Sequence, residues 1–258
     1  MTQTVKNIIL WILGGLSAAA VTVLFACGSA RASRMECSGV KVCVKDSTVN
    51  WFVSGNDVKA LLQGICGSVK GVYADSLDLE SLESRLEGKS VIRNCEAYFT
   101  TDGILNIDIT QRTPAVRFQN STNGWYADAD GYIFPLQRSY TSRVQVVDGD
   151  FPVKVERGFK GKVEDPVQRE WLMRVVNIAE YMEKNGWKDR ISQIHVSSNG
   201  EVMLVPSAGK EKFLFGQPVG IEKKFRKMEK YYRMILPLGK DYRSVDLRFD
   251  GQIVCKQL

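Results

Sequence analysis

The stretch Asp102-Gly103-Ile104-Leu105-Asn106-Ile107-Asp108-Ile109-Thr110-Gln111-Arg112-Thr113-Pro114 holds a turn, a strand and a stop in succession. Leu105, Ile107 and Ile109 alternate with polar neighbours, the period of a strand with one buried face. Asp-Gly ahead of such a run is a strong hairpin signal, because glycine tolerates the positive φ that tight hairpin turns demand. Ser90 to Thr100 is then the partner strand, and Pro114 breaks the pattern.

Upstream, Leu79, Leu82 and Leu86 share one face of a short helix that Gly88 closes. Ser54 to Gly64 has a Ser/Asn cap region, an acidic first turn, apolar Val58, Leu61 and Leu62, and Gly64 as its stop. Gly39 to Val44 alternates with period two and reads as a strand. The order is strand, helix, helix, strand, strand.

Downstream the character changes to short strands with turn residues between them: Val116 to Phe118, Trp125 to Ala127, Tyr132 to Phe134 and Arg143 to Val147. Asp165-Pro166 opens the longest helix, with Trp171, Leu172, Val175, Val176, Ile178, Ala179 and Met182 as its apolar stripe. Three strands follow around turns at Asn199-Gly200 and Ala208-Gly209. A second long helix runs from Ile221 to Ile235, and a hairpin around Asp250-Gly251 spans Ser244 to Lys256. The sum is an α+β arrangement whose second domain is a mixed, strand-rich β domain.

At the other end, Ile8 to Cys27 is uncharged over about 20 residues, the length that spans a hydrocarbon core. Three readings are open: an uncleaved anchor, a secretory signal cleaved near Ala30-Arg31-Ala32, and a lipoprotein signal ending at Cys27. Length favours the anchor, since export signals have apolar cores of about 7–15 residues. Flanking charge does not choose an orientation, because Lys6 opposes Arg31 and Arg34. The expected division is a tail 1–7, a transmembrane helix 8–28, a first domain 36–112 and a β domain 113–258.

Across its 258 residues the net charge is +6, and acidic residues are interleaved with basic ones, so no nucleic-acid surface is expected. The most basic run, Lys223 to Arg233, carries Ile221, Phe225, Met228 and Tyr232 at helical spacing, leaving its lysines on a solvated face. Cys37, Cys43, Cys66, Cys95 and Cys255 lie outside the apolar segment; pairing among them and burial as free thiols both remain open. With no CxxC and a single histidine, His195, no zinc set of usual spacing can be completed. His195 alternates with Ile194 and Val196 and reads as an edge or surface residue of a strand. Asp128-Ala129-Asp130-Gly131 lacks the flanking oxygen ligands of a calcium loop and reads as a turn. No nucleophile elbow, phosphate loop or dinucleotide fingerprint occurs. The expectation is a binding protein, not an enzyme, without cofactor, metal or small-molecule substrate.

Three strings, taken in order behind the apolar segment, carry a resemblance: Ile107 to Arg117 with its Gln111-Arg112-Thr113-Pro114 junction, Trp125 to Phe134, and Ser244 to Gly251. Together they resemble the bacterial cell-division protein family FtsQ, called DivIB in Gram-positive organisms. The resemblance implies a short cytoplasmic tail, one membrane helix, a POTRA domain of β-α-α-β-β order and a β domain. It implies a non-enzymatic scaffold in the divisome, at the inner membrane and division septum, with the C-terminal bulk periplasmic. The implied partners are FtsB and FtsL, with FtsK, FtsW and FtsI as further candidates. In the family a partner segment adds beside the last strand of the β domain, which maps here onto Val245, Leu247, Phe249, Gly251, Ile253, Val254 and Gln257. The competing reading is an anchored exported protein whose POTRA-like module serves outer-membrane assembly or secretion.

Overall fold

The computed structural model describes residues 15–17, 19–23, 35–45, 51–121 and 123–257. Most of the apolar segment, with the tail 1–7 and Cys27, lies outside the described residues. Residues 15–17 and 19–23 are helical. Among the described residues no helix is long and apolar enough to cross a membrane. The chain divides into two compact units, 1–47 with 53–111 and 48–52 with 112–258.

The first unit runs β1 (Gly39–Val44), α1 (Gly55–Cys66), α2 (Leu79–Glu87), β2 (Ile92–Phe99) and β3 (Ile104–Gln111). Strand β3 is central, antiparallel to β2 and parallel to β1. A parallel neighbour requires a crossover, which the two helices provide. At the β2–β3 turn Gly103 has φ 79°, and a Cβ there would meet the Glu36 carbonyl oxygen at 2.5 Å. Only glycine satisfies both the angle and the space. Leu105, Ile107 and Ile109 are fully buried, and so are Val58 and Leu62 of α1 and Leu82 and Leu86 of α2, or nearly so.

Helices α1 and α2 each start on a side-chain cap. The Ser54 hydroxyl accepts from the Asp57 N–H at 3.2 Å, while the Asp57 carboxylate accepts from the Ser54 N–H at 2.8 Å. This reciprocal pair satisfies two otherwise orphaned amides, and the bonds from Ser54 hold the Asp57 carboxyl below its ordinary value. Asp78 caps α2 through the Ser81 N–H. Helix α1 does not stop at Gly64; it continues to Cys66 and ends at Gly67, whose φ is 70°. A helical glycine costs only about 1 kcal/mol relative to alanine, too little to end a helix anchored by buried Val58 and Leu62.

The second unit runs β4 (Pro114–Gln119), β5 (Gly124–Asp128), β6 (Tyr132–Pro135), β7 (Gln145–Gly149), β8 (Gly161–Lys162), α3 (Pro166–Lys184), β9 (Ile191–Val196), β10 (Val202–Pro206), β11 (Lys212–Gly216), α4 (Ile221–Lys230), β12 (Tyr242–Asp246) and β13 (Val254–Gln257). These strands form one ten-stranded mixed sheet in the order β13-β12-β11-β10-β9-β7-β4-β5-β6-β8. Pro114 begins β4 instead of ending a strand, a first position where its missing N–H is tolerated.

Helix α3 is capped by Asp165, whose carboxylate accepts from Val167 and Gln168. Its buried residues are Trp171, Leu172, Val175, Val176, Ile178, Ala179 and Met182. They join Phe225, Met228 and Tyr231 and the sheet residues Val116, Phe118, Val147, Ile194, Leu204, Phe213, Phe215 and Val245 in one core. Phe118 stacks on Trp125 with ring centroids 4.0 Å apart. Alternate residues turn the other way, so Val146, Gln193, His195, Met203 and Leu214 are only half-buried.

The expected helix Ile221 to Ile235 is interrupted. Regular α4 ends at Lys230, a π-helical turn covers Tyr231–Ile235, and a short 3-10 turn covers Leu236–Leu238. Pro237 is the cause that the sequence supplies, since it has no N–H to return to the Arg233 carbonyl four residues earlier. The two-residue strand β8 had no sequence signal of its own.

Phe118→Ala removes a fully buried ring that packs on Trp125, Phe151 and Trp171. It is expected to destabilise the second unit by about 3–5 kcal/mol, measured as a lowered urea midpoint at unchanged slope.

Candidate functional site

The end of the ten-stranded sheet is the feature with an unfilled bonding capacity. Strand β12 lies between β11, to which it is parallel, and β13, to which it is antiparallel. Strand β13 pairs Val254 with Asp246, Cys255 with Val245, Lys256 with Ser244 and Gln257 with Tyr242. Among the described residues no strand pairs with its other side. An outer strand presents a row of peptide N–H and C=O groups, a template for another extended chain.

The segment joining β12 to β13 is longer than the expected tight hairpin, because residues 247–253 leave the ladder. Leu247 is fully buried, and its N–H donates to the Leu214 carbonyl at 3.0 Å. The Lys227 ammonium of α4 donates to the Leu247 carbonyl at 3.0 Å and also to the Phe249 carbonyl. Gly251 makes the return turn with φ 70°. The helix lysines read from sequence as a solvated face are therefore not all alike: Lys227 fastens this connection, and Lys224 donates to the Gln217 carbonyl at 2.7 Å.

A second fastening lies at the start of the same connection. Asp246 is buried, and its two carboxylate oxygens accept from Arg248 Nε and Nη2, the shortest contact being 2.7 Å. Arg248 Nη1 reaches Glu201 at 3.2 Å. Burial by itself would push the Asp246 carboxyl up, but the Arg248 hydrogen bonds and charge outweigh it and hold the group below its ordinary value.

The residues expected to contact a partner sort into two groups. Val245 and Leu247 are fully buried, and Ile253 is half-buried against the same core. Their side chains hold the rim from inside and are not presented outward. Phe249 is 50% exposed and Val254 45% exposed, while Gly251 and Gln257 are also at the surface. Cys255 lies opposite Val245 and is half-buried on the core side, where burial raises its thiol above the ordinary range. It is a protonated packing residue at neutral pH, not a ready nucleophile. Lys227 is a structural support that no motif announces, its hint in the sequence being its adjacency to buried Met228, whereas Arg248 lies within the Ser244 to Gly251 string.

Elsewhere the polar groups of this unit also serve to fasten backbone. At the head of β4, Arg112 Nη1 meets Asp128 Oδ2 at 3.0 Å, with both side chains largely buried. The guanidinium carbon lies 3.5 Å from the Tyr132 ring centroid. The other Asp128 oxygen accepts from the N–H groups of Asp130 and Tyr132 at 3.0 and 2.9 Å. This closes the Asp128–Gly131 turn. His195 lies on an interior strand, not at an edge: its Nδ1 is 2.9 Å from Asp148 Oδ1, and the Gln193 amide donates to the same carboxylate. Asp148 and His195 are register partners on β7 and β9, so the pair ties those strands together. The described cysteines are free thiols, Cys37 and Cys95 buried, Cys43 and Cys66 exposed. Among the described residues no group of histidine, cysteine and carboxylate side chains could hold a metal ion.

Comparison with known families bears on both units. The family model described as FtsQ/DivIB, C-terminal related, matches residues 113–256, more than half of the chain. A POTRA-like domain model matches residues 35–110. No curated protein matches the chain.

Two outcomes follow from the fastenings. Asp128→Ala strands the Arg112 guanidinium and uncaps two turn amides, and is expected to cost about 3–5 kcal/mol in chemical denaturation. Asp246 has a lowered pKa in the fold, so its contribution is full above the ordinary value of 3.8 and disappears as pH falls through the lower folded value. The stability difference between the native chain and Asp246→Asn should therefore be constant near neutrality and shrink below pH 3.8, measured by urea midpoints across that range.

Proposed function

The chain belongs to the FtsQ/DivIB family, and on that premise we propose that it is a membrane-tethered scaffold that captures the FtsB–FtsL pair by strand addition to β13. The family is one of non-enzymatic cell-division scaffolds that act at the septum in association with the membrane. The observation that carries the proposal is the place of β13: last in the sheet order, with β12 alone beside it among the described residues.

Strand addition draws its affinity from main-chain hydrogen bonds and its selectivity from pockets for alternate side chains. In this reading β13 supplies the backbone, and Phe249, Val254 and Gln257 supply outward side chains. Gly251 keeps the approach free of a side chain, with nothing within 4 Å of where its Cβ would stand. Val245, Leu247 and Ile253 hold the strand in register from the core. Lys227 and Arg248 fix the connection that delivers the chain into β13, so the edge is preorganised and less ordering entropy is lost on binding.

The tether in this proposal is the segment 8–28, with the tail 1–7 in the cytoplasm and both units in the periplasm. The POTRA-like unit would take part in recruitment to the septum, where FtsK, FtsW and FtsI are the further candidate partners. Nothing in such a role calls for a nucleophile, a cofactor or a small-molecule substrate.

The test is co-purification of FtsB and FtsL with the full chain from membranes, compared with a chain ending at Gln252. Loss of both partners on truncation is expected. Because truncation also uncovers the core beside Ile253, the double variant Phe249→Asp/Val254→Asp probes the same edge through exposed positions. It is expected to weaken capture roughly tenfold, the loss of about 1–2 kcal/mol of apolar contact. Capture undiminished in both variants would remove β13 as the docking strand.

A further inference from the structure

Strand β2 is the outer strand of the first unit's sheet on the side away from β1. Amides alternate along a strand, so those of Cys95 and Ala97 point the same way, here away from β3. Neither is left open. The Cys95 N–H donates to Glu87 Oε1 at 2.9 Å, and the Ala97 N–H donates to Glu83 Oε1 at 2.6 Å. Both acceptors come from α2.

The spacing explains why one helix can do this. Two residues along a strand advance about 6.6–6.8 Å, and four residues along a helix advance about 6.0 Å. Glutamates at positions i and i+4 therefore match alternate amides of a strand that runs beside the helix in the opposite sense, Glu83 to Ala97 and Glu87 to Cys95. The bonds are charge-assisted, stronger than the neutral carbonyl contacts that a neighbouring strand would offer. The Cys95 thiol, pushed up to about 12 by burial and then by Glu83, Glu87, Glu96 and Asp108, registers the same local concentration of negative charge.

We propose that Glu83 and Glu87 stand in for the carbonyl row of an absent neighbour strand and hold the β2 edge closed to strand addition. An incoming strand must displace two carboxylates before it can pair, and its own carbonyl oxygens then meet their negative charge. The β2 edge is thus an internally blocked docking surface, independent of what binds β13.

The experiment compares the full chain in detergent with Glu83→Ala/Glu87→Ala and Glu83→Gln/Glu87→Gln. Hydrogen exchange is followed at the Cys95 and Ala97 amides, with Ile107 and Ile109 of β3 as an internal check on the fold. The alanine pair is expected to raise exchange at the two edge amides by roughly tenfold or more while β3 is unchanged. The glutamine pair keeps a neutral acceptor, and its exchange should rise less. A synthetic peptide of residues 104–111, the sequence that pairs with the inner side of β2, serves as the strand probe. It should bind the alanine variant and not the native chain. If the alanine pair loosens β3 as well, the glutamine pair decides, and native exchange at both amides in that variant would overturn the proposal. So would equal peptide binding by the native chain, or unchanged edge exchange in a folded alanine variant.

Discussion

A sheet that does not close on itself has two outer strands, and about half of the amides on each point away from their neighbours. That requirement organises both units. In the first, β2 is flanked by a helix whose two glutamates accept the outward amides of Cys95 and Ala97. In the second, the far end shrinks to the two residues of β8, Gly161 and Lys162, too short to template anything. The near end is handled differently. Strand β13 is short as well, yet its inner side is well paired, its connection is fastened by Lys227 and Arg248, and apolar Phe249 and Val254 are exposed beside it. On the proposed reading an edge so held and so placed suits a partner, whereas β2 and β8 are blunted.

The fastenings also explain why particular strings of the sequence are diagnostic. The Gln111-Arg112-Thr113-Pro114 junction and the Trp125 to Phe134 string are far apart in the chain, but Arg112 of one pairs with Asp128 of the other. Gln111 has a structural task of its own, accepting the Val53 N–H at 2.9 Å through its buried side chain. In the third string, Asp246 and Arg248 are partners of each other. In the two ion pairs a buried or half-buried charge holds a turn or a strand terminus. Removing one partner of such a pair leaves a desolvated charge and costs several kcal/mol, so these positions tolerate less variation than the alternating apolar residues around them.

Much of the fold was legible because local and tertiary signals agree. Asp102-Gly103 and the alternation of Leu105, Ile107 and Ile109 placed β3 at its observed limits, and every residue of the α3 stripe is buried. The errors fall where a weak local signal met a stronger constraint. Gly64 was read as a helix stop, but its cost is smaller than the burial of Leu62 two residues earlier. Ile221 to Ile235 was read as one helix, whereas the chain loosens into a π turn at Tyr231–Ile235 and tightens into a 3-10 turn at Leu236–Leu238, which holds Pro237. His195 was read as an edge or surface residue; its side chain is 40% exposed, but its strand lies between β7 and β10 and not at an edge, and its partner Asp148 is 47 residues away in the chain. The long separation leaves no local trace.

The candidate site was legible only in part, and the reason is topological. Alternation identifies a strand and says which residues share a face; it does not say which strand lies outermost. That depends on β11 and β12 running parallel, which forces the intervening chain through α4 and delivers β12 to the outside of β11. Only then does the return through Gly251 set β13 beyond it. The same step decides the fate of each side chain near the edge. Val245 and Leu247 share the periodicity of a contact surface, but they are buried in the core that holds Phe225 and Met228 of α4, and Lys227, a residue that periodicity assigns to solvent, is drawn inward by two carbonyl groups. A sheet edge made of peptide backbone leaves almost no compositional mark, so the residues that betray it are the ones that support it.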